Sequence, residues 1–131
     1  MLRPVRRPLL ACLLVLAGCG GGPSDEERVH AVVEQFGRAT AAKDYQKLCD
    51  KLLSPKLVSQ VESAGLPCEV ALQQGLGDVH SPTLTIGKIE VHGDRATAQV
   101  QSSAQGQPPS RDTLQLVRAA DDSWRIASLA S

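Results

Sequence analysis

Aromatic residues are nearly missing from this 131-residue chain: Phe36, Tyr45 and Trp124 are all it has. Binding platforms for single-stranded nucleic acid are built from stacked rings, so that class of function is excluded. An excess of positive charge is also lacking, with 14 Lys and Arg against 14 Asp and Glu. Three of those arginines, Arg3, Arg6 and Arg7, fall in a leader expected to be removed. The remaining body is then acidic, the wrong sign for a phosphate backbone, and no nucleic-acid partner is expected. No apolar run reaches the roughly 20 residues of a membrane-spanning helix. There is no Cys-x-x-Cys redox motif, and His30, His80 and His92 stand at no metal-ligand spacing from the cysteines. No metal or cofactor is therefore expected. What remains is 42% hydrophobic and 21% charged, a composition suited to one globular domain.

The first residues carry an address. Met1–Pro8 holds three arginines and no acid, and Leu9–Ala17 is unbroken apolar sequence. A basic segment followed by a short apolar one is the pattern of a secretory signal peptide. Nine residues at about 1.5 Å each cover only half a bilayer core. The segment ends Leu16-Ala17-Gly18-Cys19, which resembles the lipobox of bacterial lipoproteins. The resemblance implies cleavage after Gly18 and acylation of the Cys19 thiol, the alternative being an ordinary secretory signal ahead of a cysteine. Residues 1–18 are thus expected to be a signal peptide, and 19–23 a lipidated N-terminus with a Gly20-Gly21-Gly22-Pro23 tether. The folded body is expected over 24–131. Two or three acyl chains, at about 0.8 kcal/mol per methylene, would hold it durably on the extracytoplasmic face of a cell membrane.

Cys12 leaves with the leader, so the body keeps only Cys49 and Cys68. Outside the cytoplasm such a pair reads as a structural disulfide, with two buried reduced thiols as the alternative. Closing a loop of about 20 residues would contribute roughly 3 kcal/mol.

Within the body the hydrophobic period is 3.6 at first. Ser24-x-x-Glu27 is a capping box, and Val29, Val32, Val33 and Phe36 share one face, which predicts a helix over 24–42. Asp44 caps a second helix carrying Tyr45, Leu48, Cys49, Leu52 and Leu53. Ser54-Pro55 opens a third that Gly65 stops, and Pro67 opens a short fourth ending by Gly75 or Gly77. After Asp78 the period becomes 2. Leu84 and Ile86 alternate, then Ile89 and Val91 alternate in the opposite phase, which predicts a β-bulge at Gly87-Lys88. His92–Arg95 reads as a two-residue hairpin turn, and Arg95–Ser103 as a strand with Ala96, Ala98 and Val100 inward. Gln105–Ser110 is expected to be a loop, Leu114 and Leu116 to mark a third strand, and Trp124–Leu129 to form the fourth.

Helices followed by an antiparallel meander make an α+β domain, three or four helices packed on a bent sheet of about four strands. The order resembles the nuclear transport factor 2-like superfamily. The resemblance is carried by the first helix, the bulged Leu84–Val91 strand and the ending Asp121-Asp122-Ser123-Trp124-Arg125-Ile126. A different small α+β fold of cystatin-like shape is the rival. The superfamily contains isomerases and dehydratases beside non-catalytic modules, so the fold does not decide activity. Tyr45 reads as core, its hydroxyl meeting one local acceptor. His80 with Asp78 falls in a connection, His92 by a turn, and His30 on a solvated helix face. With no acid–acid or His–acid pair on the inward strand positions, no catalytic residue is assigned. A module binding a small apolar ligand or an envelope protein is favoured, the alternative being an isomerase, dehydratase or hydrolase. The expected pocket lining is Phe36, Tyr45, Ala96, Ala98, Val100, Leu114, Leu116 and Trp124.

Overall fold

The computed structural model describes residues 21–130. The expected leader 1–18 and the lipidation site Cys19 lie outside the described residues. Helix α1 (Asp25–Ala41) starts where the capping signal places it, with the Ser24 side chain accepting from the Glu27 N–H at 3.2 Å. Three acids in its first turn sit at the positive end of its dipole. Asp44 caps α2 (Tyr45–Lys47), which passes directly into a π-helical segment, Leu48–Leu52. That wider turn closes with the Leu53 N–H on the Leu48 carbonyl and replaces the continuous second α-helix expected from periodicity. Ser54 caps α3 (Pro55–Glu62), and α4 (Cys68–Leu76) follows Pro67. Cys49 and Cys68 are disulfide-bonded, with Cα atoms 6.1 Å apart, so the bond ties the π-helical segment to the first residue of α4.

Strands β1 (Thr83–His92), β2 (Arg95–Ala104), β3 (Gln107–Arg118) and β4 (Trp124–Ala130) form one antiparallel meander in chain order. The bulge in β1 lies where the phase change puts it: Ile86 faces Val100 and Ile89 faces Ala98, so Gly87 and Lys88 together oppose Gln99. A second bulge, at Ala127, adjusts β4 between the Leu116–Ile126 and Gln115–Ser128 pairs. Leu53 and Ser54 run along β4 beside Ile126, and the buried Ser54 N–H bonds the Ile126 carbonyl at 2.8 Å, covering that edge.

A second expectation is corrected in the sheet. Gln105–Ser110 is not a loop: Gln105-Gly106 makes the turn and β3 begins at Gln107. Gly106 supplies the positive φ of 77° that such a turn needs. Pro108 and Pro109 are tolerated because the register shifts between Ser102 and Ala104, and because β4 pairs with β3 only from Thr113 onward.

The helices cover the concave face of the curved sheet. The main core joins Val29 and Val33 of α1, the disulfide, Ala96, Ala98 and Val100 of β2, Leu114 and Leu116 of β3, and Trp124 and Ile126 of β4. A smaller cluster of Ala39, Leu48 and Leu52 packs beside it, with Tyr45 at its margin.

Candidate functional site

Inward positions on β2 recur every second residue: Ala96, Ala98 and Val100 are buried, and Ser102 is next in phase. On β3 the same series runs backward from Leu116 and Leu114 to Asp112 and Ser110. The helices fill the concave face over Ala96, Ala98 and Leu116 but leave it open beyond Val100 and Leu114. There a cavity of about 230 Å³ lies between the C-terminal half of α1 and the ends of the first three strands. Its apolar side includes Phe36, Leu84, Val100 and Leu114, and its polar side Ser102, Ser110 and Asp112.

The polar side is linked. Ser110 Oγ donates to Asp112 Oδ2 at 3.0 Å, and Ser102 Oγ lies 2.9 Å from Ser110 Oγ. A hydroxyl has one proton, and that of Ser110 is used on the carboxylate, so Ser102 is the donor in the second bond. Asp112 is the one ionisable side chain lining the cavity among the described residues.

Of the expected lining, Phe36, Val100 and Leu114 reach this cavity, while Tyr45, Ala96, Ala98, Leu116 and Trp124 do not. Ala96 and Ala98 instead share one packed cluster with Val29 and Val33. The Tyr45 hydroxyl is buried without a hydrogen-bond partner, in place of the expected local acceptor. His30, His80 and His92 are exposed, as is Asp78. The His80 carbonyl bonds the Gln105 N–H at 2.8 Å, which fixes the helix-to-strand connection beside the β2–β3 turn.

Leu84 and Ser102 line the cavity without belonging to the expected set, and so do Asp112 and Ser110. The signal was present: extending the two-residue period of Leu116 and Leu114 by two more steps reaches both. Reading 105–110 as a loop ended the strand too early.

A second polar cluster lies at the opposite end of α1. Arg118 Nη2 meets Asp25 Oδ2 at 2.8 Å, and the same guanidinium reaches Asp122 at 3.0 Å and Asp94 at 3.3 Å. Its carbon sits 4.7 Å from the centroid of the Trp124 ring, whose Nε1 faces Asp25 Oδ1 at 3.4 Å. Arg28 bonds both Asp25 and the Asp122 carbonyl. The Arg118 hydrogen bond above all, opposed by partial desolvation and helped by Trp124, holds the Asp25 carboxyl below its ordinary value. Every charge in this cluster has a partner, so it fastens the start of α1 to the β3–β4 turn.

No family model and no curated protein matches the sequence. Solved structures do. An NTF2-like protein of unknown function from Silicibacter pomeroyi superposes with a TM-score of 0.59 at 21% identity, covering 79% of this chain and 90% of that one. A dehydratase candidate of the NTF2-like family from Streptomyces avermitilis gives 0.57 at 20% identity, over 80% and 92%. A de novo designed NTF2-fold protein gives 0.54 at 19%, over 82% and 87%. The fold of this chain is NTF2-like.

Proposed function

We propose that the protein is a lipid-anchored extracytoplasmic module that binds a small, largely apolar ligand at the open end of its cone. The observation carrying this reading is the cavity at Phe36, Leu84, Val100 and Leu114, set against the packed cluster of Val29, Val33 and the inward sheet residues. At about 230 Å³ it exceeds the roughly 150 Å³ that admits a benzene ring, and falls short of the roughly 300 Å³ where drug-sized pockets begin. A single substituted ring, or an aliphatic molecule of that bulk, matches it. The anchor is supported by the Leu16–Cys19 lipobox behind a basic and apolar leader.

A second reading, a small isomerase or dehydratase, draws on Asp112 as a carboxylate base inside the cavity. Among the described residues it has only the Ser102 and Ser110 hydroxyls beside it as proton donors, whereas such sites pair a base with a second acidic group. Binding is therefore preferred. Saturating benzyl alcohol should raise the melting temperature, by about 2.7 kcal/mol of stability at a hundred times its Kd. Val100→Phe, which fills the cavity, should remove that rise. An unchanged rise in the filled variant would place binding elsewhere.

A further inference from the structure

We infer that the ligand carries a protonated amine, which the cavity holds against Asp112 while the apolar side takes the rest of the molecule. This rests on the binding reading above and assigns that site the chemical class of its ligand.

Asp112 is placed by register. Its neighbour two residues on, Leu114, is buried inward, and its cross-strand partner Val100 is buried on the same face. The side chain is itself half-buried. Arg111, adjacent in sequence, falls on the other face of the strand by alternation. Among the described residues, no Lys, Arg or His lines the cavity. Among the described residues, Asp25, Glu90, Asp94, Asp121 and Asp122 each lie within 4.0 Å of an Arg or Lys nitrogen, and Asp112 does not. Its partners are neutral, the Ser102–Ser110 hydroxyl chain feeding one carboxylate oxygen. That chain orients the group without an opposite charge, so its solvation falls to water until a ligand covers it.

The physical consequence is selective. A ligand seated on Phe36, Leu84, Val100 and Leu114 strips water from the neighbouring carboxylate. Covering an ionised carboxylate with hydrocarbon is costly without a compensating donor. A ligand anion adds repulsion to that cost. An ammonium offsets it with a charge-assisted hydrogen bond at the oxygen that Ser110 leaves open.

Phenethylamine, its neutral isostere 2-phenylethanol and the anion phenylacetate separate the cases by calorimetric titration of the full-length protein near neutral pH. The amine should bind at least about ten-fold more tightly than the alcohol, and phenylacetate should give no heat. In Asp112→Asn, whose melting curve checks its fold, the amine should lose its advantage over the alcohol. Equal affinity for amine and alcohol in the parent protein overturns the charge inference and leaves the cavity reading standing. So does an amine advantage that survives in Asp112→Asn. Binding of none of the three overturns the cavity reading itself, and this inference with it.

Discussion

Trp124 is held by hydrocarbon on one side and by charge on the other. Its side chain is 2% exposed, packed into the core with Ile126, while Arg118 lies over the ring and Asp25 faces the indole nitrogen. Trp124→Ala should cost about 3–5 kcal/mol, a large share of the stability of a domain this size. Native emission should be blue-shifted and move red on unfolding; emission already matching free tryptophan would contradict the packing. Asp25 makes a separate prediction. Its carboxyl is held below the ordinary value, so the folded state binds that proton less readily than the unfolded chain does. Its stabilising effect is complete above the ordinary carboxylate value of about 4 and is lost as pH falls through the lower folded value. Asp25→Asn should flatten the acid limb of a stability-against-pH curve, and an unaltered limb would show that the pairing is not felt. Tyr45 runs the other way. Its buried hydroxyl has no partner, and an unsatisfied polar group carries a desolvation cost that phenylalanine lacks. Tyr45→Phe should leave the melting temperature unchanged or raise it, by up to about 1 kcal/mol of stability.

Among the elements, those announced by a side-chain signal were legible in the sequence. Ser24, Asp44 and Ser54 cap helices with their own oxygens, and the inversion of phase from Ile86 to Ile89 is the bulge itself. Elements set by backbone adjustment were not. The π-helical segment at Leu48–Leu52 keeps nearly the same buried residues as an α-helix would, so its apolar pattern reads the same. The start of β3 was hidden by Pro108-Pro109, which signal a loop unless a bulge and a free strand flank accommodate them. That one error concealed Ser110 and Asp112, which become inward residues only once the strand extends past them. The disulfide was foreseen from the two cysteines that removal of the expected leader would leave in the body, and it ties the π-helical segment to the start of α4. Reduction should lower stability by about 2–4 kcal/mol in denaturant melts. Two titratable thiols on unfolding the non-reduced protein would remove the basis of that expectation.

For the molecule as a whole, the two polar clusters sit at opposite ends of α1. The ion cluster surrounds Asp25 at its start, whereas Phe36 and Thr40, near its end, line the cavity. Fifteen residues of helix separate Asp25 from Thr40, or roughly 22 Å at 1.5 Å per residue. An anchor at Cys19 would pull on the end of α1 that Arg118 fastens to the β3–β4 turn, far from the cavity mouth. The few residues from Cys19 to Ser24 reach at most about 17 Å when extended, so the domain would stay close to the bilayer with its mouth at the distal end. Anchoring and binding should then be separable. Cys19→Ser removes the acyl acceptor, and with it the attachment that acyl chains provide at about 0.8 kcal/mol per methylene. The variant should lose acyl labelling and appear in the soluble fraction, while its affinity for phenethylamine matches that of the parent. Equal membrane recovery of variant and parent after a salt wash would overturn the lipid anchor. Release accompanied by weakened binding would instead mean that the membrane surface contributes to the site, and the cavity would have to face the bilayer rather than point away from it.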